Sequence, residues 1–387
     1  MIGHGAQVGA VSRGTVPDDL SREVYCILGM PIDAVGMPSV VRTIETAAAR
    51  KSPFFISTPN LNFLVNSLSD PNFRESLLLS DLCPADGMPI IWIAWLFGIP
   101  LKNRIAGCDI FDALKAERNR ENPMKVFLFG GAEGVASAAA RALNVERGGV
   151  YCVGSLYPGL GSADEMSRCE IIDQINSSDA DLLVAALGAK KGQLWLQRNH
   201  YRLRIPVRTH LGALVNFQAG TLKRAPRFLQ KLGLEWLWRI KEEPSLWRRY
   251  WNDGRVLLRL MFTRILPLAI WTWWLHRKYG DNGQDLVISE IHHTDCITVS
   301  LSGPAVARHV GKVVLVLKKA IGTGKRIVID FSNARVLDAR FLGVLLMLRK
   351  TLNTHGTYPT IVGLSPELER IFRLNSLEFM LSSDKGA

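Results

Sequence analysis

Between residues 25 and 219 the chain alternates short apolar runs with longer segments whose apolar residues recur at helical spacing. Five runs read as strands, at 54–57, 125–129, 150–155, 182–187 and 207–211, and helical patterns fall at 62–79, 134–146 and 164–176. Strands that alternate with helices pair in parallel, because each crossover must return to the same edge of the sheet. The expected core is therefore α/β: a Rossmann-like, mainly parallel sheet with helices on both faces. Open sheets of this kind bind ligands beyond the carboxyl ends of their strands.

The polar breaks after these runs are where chemistry is expected. Thr58-Pro59-Asn60 ends the first run, and Ala85-Asp86-Gly87-Met88-Pro89 stands directly before another apolar stretch. Asp86 has two readings, the N-cap of the helix that follows or a carboxylate directed into a pocket. Gly130-Gly131 follows a strand and opens a helix through Gly134. It serves either as a tight turn or as a cradle of backbone N–H groups for phosphate. It does not match the G-x-G-x-x-G dinucleotide fingerprint. His210, alone after an apolar strand, reads as a packed residue, and His292-His293 has no matching ligand set.

The net charge of +12 is concentrated. Residues 223–278 hold 13 Lys or Arg against four acids, together with seven of the ten tryptophans. Arg interleaved with Trp suits either nucleic acid or a membrane interface. The uncharged run of eleven residues from Ile265 to Leu275 favours the membrane. A span needs about twenty residues, so the segment is expected to lie in or dip into the bilayer. The six cysteines are scattered without a C-x-x-C pair, so no zinc site, metal or disulfide framework is suggested and a cytosolic setting fits. The first 24 residues lack signal-peptide features and read as a flexible lead-in. Residues 280–284 read as a linker.

The remainder, 284–387, has its own order: strands at 286–293 and 296–302, a helix at 306–321 and a strand at 326–331. A helix at 340–354, a strand at 360–364 and a helix at 366–375 follow. With Asp338-Ala339-Arg340-Phe341 at its centre, this order resembles the STAS domain of anti-sigma-factor antagonists and sulfate transporters. That family carries small hydroxyl residues after the Asp, and here Ala339 and Arg340 replace them. The resemblance thus implies an interaction module without a phosphate switch, one that regulates, localises or oligomerises the enzyme and binds a protein partner or itself.

Seven blocks come in fixed order: Thr58-x-Asn60, the Asp86 block, Arg104-Ile-Ala-Gly107 with Asp109, Phe127 to Gly131, Tyr157 to Gly161, Ala186 to Ala189, and Lys223-Arg-Ala-Pro226. Over about residues 25–250 this order resembles the WecG/TagA/CpsF glycosyltransferase family, glycosyltransferase family 26. The resemblance implies an inverting transferase without a tightly bound metal or other cofactor, moving a sugar from a UDP-sugar to a polyprenyl-diphosphate-linked saccharide. Asp86 would be the catalytic base. Thr58, Asn60, Arg104, Gly130, Gly131, Lys191, Gln193 and Asn216 would line the substrate pocket. Lys223, Arg224, Arg227 and Arg239 would close over it and meet pyrophosphate. The family's Pro-Lys-Gln-Glu stands here as Lys190-Lys191-Gly192-Gln193, and its Asp-Phe as Asn216-Phe217. The expected organisation is a transferase core at 25–220, a basic membrane appendage at 221–280 and the STAS-like domain at 284–387. The expected place is the cytoplasmic face of a bacterial inner membrane, in synthesis of exopolysaccharide, capsule or another surface polymer. The competing expectations are a non-catalytic membrane scaffold with a decayed core and, on charge alone, a nucleic-acid binder.

Overall fold

The computed structural model describes residues 18–116, 122–146, 148–279 and 285–381. Most of the expected flexible lead-in and the linker at 280–284 lie outside the described residues. Residues 18–24 do not belong with that lead-in, because Asp19 and Leu20 are buried.

Strands β1 (Val24–Ile27) and β2 (Met30–Asp33) form an antiparallel hairpin absent from the sequence reading. Five strands follow: β3 (Phe54–Ile56), β4 (Met124–Gly130), β5 (Val150–Leu156), β6 (Leu182–Ala186) and β7 (Val207–His210). They form one wholly parallel sheet in the order β3-β7-β6-β4-β5. Alternate residues face opposite sides, as the two-residue period of a strand dictates. Val126, Leu128, Leu182 and Val184 enter one core, while Phe127, Phe129, Leu183 and Ala185 enter another. The sheet is apolar on both faces because helices cover both. The helix expected over 62–79 is in fact two, Leu61–Ser69 and Pro71–Leu78. Asp70 divides them: it accepts from the N–H groups of Asn72 and Phe73, and Pro71 occupies the first turn, where its missing N–H costs nothing.

The second sheet contains β8 (Val287–His292), β9 (Cys296–Ala305), β10 (Arg326–Leu337) and β11 (Thr360–Val362), ordered β11-β10-β9-β8. Helices Val310–Gly322, Ala339–Asn353 and Pro366–Leu374 complete it, in the order expected from sequence.

The two halves share a core. Leu20, Val24, Cys26 and Leu78 pack in one cluster with the apolar residues of the C-terminal domain. Helix Ala339–Asn353 is buried nearly all round, which a helix tolerates only when both sides are covered. Gly343 lies so close to β1 that an added Cβ would stand 2.0 Å from the Val24 carbonyl oxygen. Arg340 donates to the carbonyls of Val24 and Arg22, each at 3.0 Å. Asp338 caps this helix, accepting from Phe341 N–H at 2.8 Å and from Ala307 N–H at 2.6 Å. The loop that would carry a phosphate switch is thus occupied by a cap and an interdomain arginine.

A continuous helical run, Pro244–Tyr279, is long and apolar enough by length and composition to cross a membrane, and 17% of its apolar window is buried. The eleven-residue run noted in the sequence is therefore part of a 36-residue rod. One face of the rod is held by protein. Asn62 donates to Asp253 at 3.1 Å, Leu260 and Ile265 pack on the N-terminal half, and Leu268 and Leu275 pack on the C-terminal domain. The opposite face leaves Trp247, Trp251, Leu258, Phe262, Ile270 and Trp273 exposed.

Candidate active site

The three polar blocks seen in the sequence meet beyond the carboxyl end of β3. Residues 81–86 run alongside that strand. Asp81 N–H donates to Phe55 O at 2.7 Å, Ser57 N–H to Leu82 O at 3.0 Å, and Asp86 N–H to Pro59 O at 2.8 Å. Ile105 N–H then donates to Ala85 O at 2.8 Å, which draws in the Arg104 block. Thr58 is buried beside Gly107, where a Cβ would come within 3.4 Å of the Thr58 hydroxyl oxygen.

Asp86 does not cap the helix that follows it, and the polar residue that does cap a helix here is Asn60. Asn60 Oδ1 accepts from Phe63 N–H at 3.2 Å and caps helix Leu61–Ser69, a contact worth about 1 kcal/mol. The helix after Asp86, Met88–Leu96, is capped by Gly87 at φ +96° with no side-chain bond. The Asp86 side chain takes no part in capping and is partly buried. Burial pushes its carboxyl up to about 7. Glu235 and Asp109 push the same way, while Arg104 and Arg224 oppose them.

Arg104 and Arg224 form the cationic side of this site. Arg104 pairs with Glu235 at 2.7 Å and with Asp109 at 3.5 Å. Arg224 pairs with Asp112 at 2.7 Å and in short contact with Asp109. Glu235 opens helix Glu235–Glu242 of the appendage, so the appendage reaches into the site. Just before it, Gly233 at φ +73° packs on Met88; an added Cβ would lie 2.5 Å from Met88 Cγ. Sequence reasoning missed Glu235. Its one signal was an acid opening a helix in an otherwise cationic segment, and such an acid ordinarily serves the helix dipole.

The remaining expected residues divide. Gly130 and Gly131 lie at the carboxyl end of β4, next to β6, where the strand order reverses. Gly131 N–H donates to Ala186 O at 2.8 Å, and a Cβ on Gly130 would stand 2.6 Å from that oxygen. Close backbone approach by itself accounts for the Gly130 glycine. Lys191 reaches Gly161 O at 2.7 Å and ties down the 157–161 loop. Gln193 is not in this site. It is fully buried beneath β3 and donates to Ser57 Oγ at 2.5 Å, so its expected place in the donor pocket is corrected to a core position. Asn216 holds the turn at Thr221 through its carbonyl, at 3.1 Å. Arg239 lies over the Phe217 ring and pairs with Glu243 at 3.0 Å, while Lys223 and Arg227 are exposed; none of these three joins the ion-paired cluster around Asp86. His210 is buried and burial lowers it to about 4, so it is a neutral packed ring. An Asp-x-Asp sequence, Asp179-Ala180-Asp181, lies at the amino end of β6, away from the site, paired with Lys51 and Lys125. Among the described residues no group of three or more His, Cys, Asp or Glu is placed to hold a metal.

An open parallel sheet with one raised carboxylic acid facing two guanidinium groups defines an enzyme suited to anionic, transferable substrates. The chain belongs to the glycosyl transferase WecG/TagA/CpsF family, whose pattern matches residues 25–269, and a STAS domain matches residues 288–384. It is a glycosyltransferase. It is similar to an N-acetylglucosaminyldiphosphoundecaprenol N-acetyl-beta-D-mannosaminyltransferase of Bacillus spizizenii, 28% identical over 50% of this chain and 74% of the relative. Proteins of the same name match from Bacillus subtilis, 27% identical over 53% of this chain and 78% of the relative, and from Staphylococcus aureus (strain MW2), 26% identical over 58% and 85%. Among solved structures, a GTP-binding protein of Sulfolobus solfataricus in complex with GDP covers 67% of this chain and 90% of its own at 10% identity. Its TM-score of 0.18 carries no argument.

Proposed function

We propose that the protein transfers a sugar from a UDP-sugar to a polyprenyl-diphosphate-linked saccharide with inversion at the anomeric carbon. The observation that carries this reading is Asp86, freed from capping and raised to about 7 opposite Arg104 and Arg224. A base of that strength takes the proton of an acceptor hydroxyl at neutral pH as the hydroxyl attacks the anomeric carbon. The glycosidic bond to the nucleoside diphosphate breaks in the same step, and the guanidinium pair meets the charge that develops on it. The names of the relatives specify a beta-D-mannosaminyl group, which supports inversion for an α-linked donor. The N-acetyl-beta-D-mannosaminyl group in their names supports trying the UDP derivative of N-acetylmannosamine first. Asp86 acts as base only when ionised, so kcat/KM should rise with pH through about 7 and fall below it. A panel of UDP-sugars with one lipid-diphosphate acceptor tests the reading. A rate that does not change between pH 6 and 8 removes Asp86 from the base role.

The reading includes peripheral attachment to the cytoplasmic face of a membrane, in the synthesis of a bacterial surface polymer. Exposed Trp251, Phe262 and Trp273 share the outer face of the rod with exposed Arg255, Arg259 and Arg277. Aromatic residues at the acyl boundary with arginine at the headgroups suit an interfacial helix. The rod's inner face is committed to both domains, which favours lying on the bilayer over spanning it. The full chain should bind vesicles containing phosphatidylglycerol. The triple change Trp251→Ser, Phe262→Ser and Trp273→Ser should weaken binding by at least about tenfold, since each large apolar side chain contributes roughly 1.5–3 kcal/mol when fully buried. Unchanged cosedimentation would reject the attachment. Truncation is a poorer test, because Arg224, Glu235, Leu260 and Ile265 would be lost with the segment.

A further inference from the structure

The Arg104–Arg224 pair already has anions on it. Four carboxylates, those of Asp86, Asp109, Asp112 and Glu235, surround two guanidinium groups. Three of the four belong to the core, Asp86 on the loop before helix Met88–Leu96 and the two others on helix Gly107–Ala116. Only Glu235 arrives on a separate element. Its Oε2 takes Arg104 Nη1 at 2.7 Å, and its Oε1 stands 4.0 Å from Arg224 Nε, a buried donor with no hydrogen-bond partner. A carboxylate between two guanidinium groups occupies the position that diphosphate oxygens would take. Adding a multiply charged diphosphate to a part-buried cluster that already has more acids than bases is unfavourable unless one acid withdraws.

We propose that Glu235 is an internal stand-in for the substrate diphosphate: it lies between the two arginines and must leave them when a diphosphate enters. This rests on the reading of Arg104 and Arg224 as the diphosphate-binding cations. The appendage then does more than attach the enzyme to a surface. It keeps two part-buried arginines paired. It releases them only to a ligand that binds both more strongly than one carboxylate does. Gly233 supports the arrangement, since its close packing on Met88 fixes where helix Glu235–Glu242 begins.

The test is calorimetric binding of inorganic pyrophosphate and of UDP to the full chain, in the wild type and in Glu235→Gln and Arg104→Gln variants. Gln has the shape of Glu without its charge, so Glu235→Gln should bind pyrophosphate at least about tenfold more tightly, with a smaller but same-signed gain for UDP. Arg104→Gln should bind both more weakly. If Glu235→Gln binds no more tightly while Arg104→Gln still weakens binding, the stand-in role is overturned and Glu235 only orders the arginines. If Arg104→Gln has no effect on either ligand, the diphosphate reading of the pair fails, and the stand-in role fails with it. Thermal melting of each variant separates these outcomes from misfolding. A Glu235→Ala variant that also tightens pyrophosphate binding excludes an effect peculiar to the Gln amide.

Discussion

Replacing Asp86 by Asn is expected to lower the rate of sugar transfer by about a hundredfold or more while leaving the protein folded. Asn has the same shape and cannot accept the acceptor's proton. The loss should appear in kcat and in kcat/KM together, because the proton is taken only as the bond forms. The stability sign is also fixed. Asp86 binds its proton more tightly in the folded chain, where it titrates at about 7, than in the unfolded chain, where an aspartate titrates near 4. Stability contributed by its neutral form is therefore present at acid pH and is lost as pH rises from about 4 to about 7. At neutral pH the wild type carries this cost and the Asn variant does not, so the variant should melt no lower than the wild type. A folded variant with near-normal turnover would return Asp86 to a structural role. A variant that melts well below the wild type would show that the buried carboxylate is held by partners and not merely desolvated.

The sheet was legible in the sequence because strand and helix periods differ and the apolar runs 54–56, 126–129 and 182–187 are unbroken. A run of that kind is apolar at both alternate positions only when both faces are covered, and both are. The hairpin β1–β2 was not legible. Its eight strand residues are all buried, and Asp33 among them is tolerated only because Arg22 lies 2.7 Å away, a partner that spacing does not reveal. The same reason explains the site. Thr58, Asp86 and Arg104 stood out as polar breaks at strand ends, and the fold brings their blocks together. Glu235 and Gln193 were misjudged because their meaning depends on contacts 131 and 136 residues distant, with Arg104 and Ser57. The packing of the C-terminal module on the catalytic half was not legible for the same cause. Local pattern showed a STAS-like order and the unbroken apolar run 341–348, but nothing local showed that β1 is what covers one side of it.

Replacing Lys350 by Met should therefore damage the transferase half, although Lys350 belongs to the STAS domain. Its side chain is 6% exposed and its ammonium lies 2.8 Å from Asp19 and 2.6 Å from Asp81. Asp81 in turn accepts from Phe55 N–H at 2.8 Å, inside β3, which ends two residues before Thr58. Asp19 holds Arg22, Arg22 holds Asp33, and Asp33 accepts from Cys83 N–H at 2.6 Å, three residues before Asp86. Both routes end on the segments that form the site. Removing one partner from a buried ion network costs about 3–5 kcal/mol, because the carboxylates left behind stay desolvated. Burial acts to raise Asp81, and Lys350 overrides it to hold the carboxyl below its usual range. Asp81 therefore contributes stability above the unfolded aspartate value, near 4, and loses it as pH falls through its own lowered value. The gap in melting temperature between wild type and Lys350→Met should persist from neutral pH down to about pH 4 and narrow below it, as Asp81 takes up its proton. Lys350→Arg should recover part of the loss, and adding Asp81→Asn to Lys350→Met should cost less than the sum of the two single changes. A small, pH-independent change in Lys350→Met would mean that the two halves are joined by apolar packing alone. If the losses appear as expected, cutting the chain before residue 285 would not release a regulatory module. It would strip cover from Val24, Cys26 and Leu78 and take away the cation on which Asp19 and Asp81 depend.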